Sequence, residues 1–284
     1  MSGALVKTLR MIKIEHTIFA LPFALISMLV AAGGWPSWRI FLWIVVAMIG
    51  ARSAAMAFNR LVDHHLDERN PRTAARELPR GELRRAPVWI FTGAMSLLLV
   101  VAAWQLNPLC LKLSPAALAV VLFYSLTKRF TVLSHFFLGL ALAIAPVGAW
   151  LAVRGGFDAF PLWLGAGVLF WVAGFDIIYG CQDTEFDRRA GLHSVSAALG
   201  DRAALGVARL CHAATVIFFA AAGFSQQLGW PWTVGVLTVA ALLAYEHWLV
   251  RGGDLRRIDQ AFFQVNSWVG LVFLAFAVLA LLWP

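Results

Sequence analysis

Residues 59–81 read NRLVDHHLDERNPRTAARELPRG and carry four carboxylates and five arginines. The 284-residue chain around them is 61% hydrophobic and only 13% charged, with a mean hydropathy of +0.77. A typical soluble domain has about 25% charged residues. The charged stretch therefore marks where a membrane chain meets water, and the apolar sequence on either side reads as membrane spans.

Runs of about 20 apolar residues are long enough to cross a bilayer core as helices. Nine such runs are expected: 16–33, 40–58, 87–106, 108–124, 134–153, 161–180, 203–224, 231–249 and 261–282. The fourth is interrupted by Lys112 and Pro115. The first follows Lys7, Arg10 and Lys13 and has no convincing small-residue cleavage site after it, so it reads as a retained span rather than a signal peptide. Glu15 and His16, at its inner start, are read as capping that helix or lining a cavity.

Short cytoplasmic loops carry an excess of Lys and Arg. With the N-terminus inside, 18 of the 23 basic residues fall on inner segments, seven of them between Arg60 and Arg85. Arg39, Lys112 and Arg154 fall outside, and Arg52 and Arg209 lie within spans. The net charge of +8 is thus accounted for by basic inner loops facing anionic lipid and calls for no nucleic-acid partner. The tryptophans at span ends, such as Trp35, Trp38, Trp230, Trp232 and Trp283, read as interfacial anchors. Cys110, Cys181 and Cys211 have no paired spacing and read as buried thiols.

Eight of the fifteen carboxylates gather in two inner clusters: Asp63, Asp67, Glu68 and Glu77, then Asp176, Asp183, Glu185 and Asp187. Asn59, Asp63 and Asp67 follow an i, i+4, i+8 spacing, which on one helix stacks three oxygen-bearing side chains along a face. Asp183 and Asp187 repeat the step in DIIYGCQDTEFD, residues 176–187, with Asp176 seven residues earlier. Charge at one span end is ordinary, but a repeated Asp-x-x-x-Asp array flanked by arginines points to chemistry. Oxygen ligands of this kind suit Mg²⁺, which typically takes one or two carboxylates together with phosphate and water. Two such arrays facing each other would hold a metal-bridged diphosphate.

Arg52 precedes Asn59 by seven residues, about two turns deeper on the same helical face. An ionisable residue within a span is a functional candidate by default, and Arg52 reads as an acidic-substrate contact or as a structural pair. His64, His65 and His193 read as interfacial polar residues. Of Arg69, Arg72, Arg76 and Arg80, one is expected to meet a phosphate, and Arg72 or Arg188 is expected to assist a departing diphosphate.

The order Asn59-Arg60-x-x-Asp63-x-x-x-Asp67, then NPRTAARELPRG at 70–81, YSLTKRFT at 124–131 and GFDIIYGCQDTEFDRRAGLHS at 174–194 resembles the UbiA family of intramembrane aromatic prenyltransferases across essentially the whole chain. The resemblance implies an all-α membrane domain over residues 1–284, nine transmembrane helices around a central cavity, with Mg²⁺ and a polyprenyl diphosphate held at a cytoplasmic mouth in a bacterial-type inner membrane. Carried over by position, it implies Asn59, Asp63, Asp67, Asp183 and Asp187 as metal ligands and Asp176 as a further substrate-site carboxylate. Tyr124 and Lys128 match a Tyr-x-x-x-Lys element whose lysine meets the diphosphate, and Arg52 matches an arginine facing an acceptor carboxylate. Arg60 stands where many members carry Asp. The acceptor implied is an aromatic acid, 4-hydroxybenzoate on a ubiquinone-type route or a hydroxylated naphthoate on a menaquinone route. A transporter is the competing class, but it predicts charged sites near the midplane, whereas these carboxylates gather at one end of the spans.

Overall fold

The computed structural model describes residues 3–13, 19–251 and 257–283. Glu15 and His16 lie outside the described residues. Among those described there is no strand. The helices are α1 (Gly3–Met11), α2 (Leu21–Ala32), α3 (Trp38–Val62), α4 (His64–Arg69), α5 (Arg85–Leu106), α6 (Pro108–Thr127), α7 (Ser134–Arg154) and α8 (Ala159–Gly180). After a 3₁₀ turn at Cys181–Asp183 come α9 (Thr184–Arg189), α10 (Val195–Leu199), α11 (Asp201–Ser225), α12 (Trp230–Leu249), a π-helical turn at Gln260–Val265 and α13 (Asn266–Leu282).

Eight of these helical segments are long and apolar enough to cross a membrane among the described residues, not the nine expected. The shortfall is the first run. Its helix starts only at Leu21, with Pro22 in the first turn, where a missing N–H costs nothing. It then closes at Gly33, whose φ of +65° places it in the left-handed region. Twelve residues rise about 18 Å, well short of a bilayer core of about 30 Å. The run interrupted by Lys112 and Pro115 does form a helix, α6, with Pro115 inside it.

The chain divides into two compact units, residues 1–17 with 42–126 and residues 18–41 with 127–284. In the first, Met11, Ile12, Ala57, Leu61, Leu78 and Val88 form one buried cluster. It ties the end of α1, the C-terminal end of α3 and the loop after α4 together, and so fixes the ground on which residues 59–67 stand. Arg52 and Arg60 reinforce it. Arg52 donates to the carbonyls of Ile12 (3.0 Å) and Lys13 (2.6 Å), and buried Arg60 donates through Nε to that of Met11 (3.4 Å). These are carbonyls at the end of α1, where a helix leaves acceptors unsatisfied.

In the second unit α8 is the most enclosed helix, with Leu164, Val168, Trp171, Val172, Ala173, Ile177 and Ile178 all removed from the surface. Glycines permit that enclosure. Gly167 lies against the Phe219 ring and Gly174 against the His212 ring, and in both places a methyl group would collide. The second Asp cluster is thus mounted on the best-packed helix of its unit.

Candidate active site

In the first unit Asn59 and Asp63 do not lie on one unbroken helix with Asp67. The helix breaks at Asp63 (φ −91°, ψ 2°), and α4 begins at His64. The i, i+4 step survives, because Asp63 N–H still donates to Asn59 C=O (3.0 Å) and Asp67 N–H to Asp63 C=O (2.8 Å). Asn59 Nδ2 donates to Asp63 Oδ2 at 2.8 Å, which turns the amide oxygen away from that carboxylate.

Asp67 is 6% exposed. Its Oδ1 accepts from Arg76 at 2.6 Å, its backbone carbonyl accepts from Thr73 Oγ1 at 3.1 Å, and its Oδ2 is buried without a hydrogen-bond partner. Arg76 is thus a loop arginine on the array. Arg72 is exposed, and its backbone N–H is held by Asn70 Oδ1. On the same short helix His64, His65 and Glu68 bring ligand atoms within 4.8 Å of one another, on a largely exposed face. Tyr124, half-buried near the end of α6, belongs to this unit.

The second unit repeats the pattern. Asp183 sits at a break with almost the same backbone angles (φ −104°, ψ 4°), and α9 is, like α4, six residues long. This part of φ/ψ space is sparsely populated and recurs at active-site residues. Asp187 is 0% exposed. Lys128 Nζ lies 2.9 Å from its Oδ1, close enough for an ion pair although off the line of a hydrogen bond, and Ser194 Oγ donates to its Oδ2 at 2.8 Å. His193 N–H donates to the Lys128 carbonyl at 2.7 Å, tying the lysine's backbone to the loop that carries Ser194.

Thr184 Oγ1 lies 2.6 Å from Asp201 Oδ1 and donates to it, anchoring the start of α9 to the start of α11. Arg188 is spent on the backbone carbonyls of Ala197 (2.8 Å) and Ser196 (3.4 Å), and Arg189 pairs with Glu185 on the surface. Asp176 Oδ2 accepts from His135 Nδ1 at 2.6 Å, while His135 Nε2 accepts from Val195 N–H at 3.5 Å. That pair of bonds assigns the imidazole proton to Nδ1.

Sequence reading missed Arg76, His135, Ser194, Thr184 and Asp201 as supports of the carboxylates. Only Arg76 carried a signal, as one of four candidate arginines.

The donor set within each unit is carboxylate oxygen, with the Asn59 amide oxygen added in the first. Asp67 Oδ2 is a buried acceptor that no protein donor reaches, and a buried acceptor without a partner is costly. A hard divalent cation fits such oxygens.

These features define a polytopic helical membrane protein with two matched carboxylate arrays. The sequence matches the UbiA prenyltransferase family over residues 20–268, a stretch that runs through both units, and the chain belongs to that family. It is an integral membrane protein and a prenyltransferase. It is 29% identical to the 4-hydroxybenzoate octaprenyltransferase of Shewanella sediminis (strain HAW-EB3), over 92% of this chain and 91% of that one. Among solved structures it resembles an apo UbiA homolog from Aeropyrum pernix K1 (34% identity, TM-score 0.85, 93% of this chain and 98% of that one). It shares the fold of a UbiA homolog from Archaeoglobus fulgidus bound to DMAPP and Mg²⁺ (20% identity, TM-score 0.76, 98% of this chain and 100% of that one).

Proposed function

We propose that this protein transfers a polyprenyl group from a polyprenyl diphosphate to 4-hydroxybenzoate, at the cytoplasmic face of a bacterial inner membrane and with its N-terminus inside. The observation that carries the reading is the pair of buried aspartates, Asp67 and Asp187, each one step beyond a backbone break and each beside a cation. The similarity to a 4-hydroxybenzoate octaprenyltransferase over nine-tenths of both chains supports the acceptor.

Asp63 and Asp67 with the Asn59 amide oxygen, and Asp183 and Asp187, would hold Mg²⁺. The metal supplies charge neutralisation to a departing diphosphate. Lys128 binds a diphosphate oxygen and returns to Asp187 when the product leaves, which keeps both charges compensated between turnovers. Arg76 is placed to do the same beside Asp67, and Arg72 or Arg188 assists at the diphosphate.

The C–O bond to diphosphate breaks with its electron pair on oxygen. The acceptor carbon ortho to the phenol oxygen forms the new C–C bond and then loses its ring proton. Arg52, whose guanidinium also holds the carbonyls of Ile12 and Lys13, orients the acceptor carboxylate. Tyr124 and Asp176, the latter fixed by His135, position substrate. The apolar spans exclude water from the allylic cation.

The test is to incubate membranes carrying the protein with Mg²⁺, a polyprenyl diphosphate and 4-hydroxybenzoate and to look for the prenylated acid, with EDTA as the control. No product from any aromatic acid overturns the reaction; product from a hydroxylated naphthoate alone overturns the acceptor.

A further inference from the structure

The second unit buries a polar chain that the proposed chemistry leaves unused. Glu246 on α12 is 0% exposed and accepts through Oε1 from Asn266 Nδ2 at 2.9 Å. Asn266, also 0% exposed, accepts through Oδ1 from Trp171 Nε1 on α8 at 2.7 Å. Behind Glu246, His212 Nδ1 lies 3.8 Å from Oε2 and 3.0 Å from His247 Nε2. An apolar residue at each of these positions would be the inexpensive choice within a membrane, because buried ionisable groups there are costly.

What the chain obtains is a hold on the π-helical turn Gln260–Val265. Asn266 N–H bonds to Phe263 C=O rather than Phe262 C=O, and the Asn266 side-chain amide reaches back to the carbonyls of Ala261 and Phe262 at 3.1 Å each. π turns are rare and concentrate at functional sites. This one sets the Phe262 ring 4.2 Å from Tyr179, 5.4 Å from Phe175 and 5.7 Å from Phe19. Tyr179 lies one turn of α8 beyond Asp176 and four residues before Asp183, so it stands about 6 Å along the helix axis from the first aspartate of the second array.

We propose that the Trp171–Asn266–Glu246 chain is a positioning device that locks the π turn, so that Phe262 and Tyr179 form the wall shielding the allylic carbon from water beside the second array. The inference rests on the transfer reaction proposed above. An allylic cation has two fates. In transfer, the acceptor carbon bonds to C1 and the ring proton leaves. In quenching, a water oxygen bonds to C1 and releases a proton, giving polyprenol and diphosphate. Aromatic faces stabilise a cation and exclude water. Loosening the wall therefore changes the ratio of the two products, a quantity independent of how much folded enzyme is present.

The test measures polyprenol against prenylated acid in membranes supplied with polyprenyl diphosphate, Mg²⁺ and 4-hydroxybenzoate. Phe262→Leu raises the polyprenol fraction about tenfold, with the Mg²⁺ requirement held within about twofold, because water gains access while the metal ligands are untouched. Asn266→Ala and Glu246→Leu follow it. Glu246→Gln, whose amide oxygen still accepts from Asn266, stays within about twofold of the parent ratio. An unchanged ratio in Phe262→Leu overturns the wall. Equal ratios for Glu246→Gln and Glu246→Leu overturn the positioning role, and this comparison stands even if Asn266→Ala does not accumulate. Failure of the parent protein to prenylate any aromatic acid is a different result, which removes the reaction and the inference with it.

Discussion

The two carboxylate arrays share a backbone and differ in what occupies their oxygens. Both break at the first aspartate, Asp63 or Asp183, and both carry the second, Asp67 or Asp187, four residues on within a six-residue helix. Both second aspartates lie beside a cation, Arg76 at 2.6 Å or Lys128 at 2.9 Å. Yet Asp67 keeps Oδ2 without a hydrogen-bond partner, while Asp187 has Lys128 on one oxygen and Ser194 on the other. If both arrays bind a cation, Asp67 offers an oxygen with no hydrogen bond on it, whereas Asp187 offers one only when Lys128 or Ser194 moves away.

The largest expected effect removes the feature the arrays share. Asp63→Ala or Asp183→Ala lowers the transfer rate by about 10²–10³, the size of loss seen when one group that stabilises developing charge is deleted. The rate is read in membranes at saturating substrate, and a normal rate in either variant ends the metal assignment for that array.

The next effect breaks the symmetry. Asp67→Asn raises the Mg²⁺ concentration for half-maximal rate about tenfold, whereas Asp187→Asn raises it about threefold, because the open oxygen is the better ligand before substrate arrives. A Mg²⁺ titration of both variants decides it, and equal shifts would mean that the unpartnered oxygen has no special part. Lys128→Met supplies the stability counterpart. It leaves a fully buried carboxylate with Ser194 as its remaining named donor, which costs about 3 kcal/mol. Arg76→Met costs about 3 kcal/mol as well, because Asp67 is also buried and Arg76 is no more open to solvent than Lys128. Thermal unfolding in detergent, with the two variants side by side, measures both.

Much of this candidate site was legible in the sequence because its signal is periodic. Asn59, Asp63, Asp67, Asp183 and Asp187 declare themselves through four-residue steps at span ends, and Arg52 through its charge within an apolar run. The break at Asp63 was not legible: no Gly or Pro punctuates it, and the i, i+4 backbone bonds run through it. Nor were the supports. His135 meets Asp176 across 41 residues and Ser194 meets Asp187 across seven, at spacings that only tertiary packing brings together. Among the described residues the first run gives a helix too short to span, because hydropathy reports composition, whereas α2 begins at Leu21 with Pro22 in its first turn.

Arg52 tests whether the first array also organises the acceptor. Its guanidinium already holds the carbonyls of Ile12 and Lys13, so Arg52→Ala removes a brace as well as a substrate contact. Orientation of an acceptor carboxylate predicts that KM for the aromatic acid rises about tenfold with KM for the diphosphate unchanged, since a charged hydrogen bond is worth about 1.5–3 kcal/mol. A brace alone predicts equal loss for both substrates.

Ser194 gives the smallest effect. Its hydroxyl donates to Asp187 Oδ2 and accepts from Ala197 N–H as the N-cap of α10, so one oxygen serves the carboxylate and a helix at once. Ser194→Ala loses both, a stability cost of about 1–2 kcal/mol, and frees one Asp187 oxygen. The opposite array offers a control in Thr73, whose hydroxyl donates to the backbone carbonyl of Asp67 and not to its carboxylate. If Asp187 is held back from the metal by its donors, Ser194→Ala lowers the half-maximal Mg²⁺ concentration by about twofold while Thr73→Val leaves it unchanged, a difference of a few tenths of a kcal/mol in metal binding. An increase in Ser194→Ala instead would mean that the hydroxyl aims the carboxylate at the metal, and that the two arrays ligate in the same way.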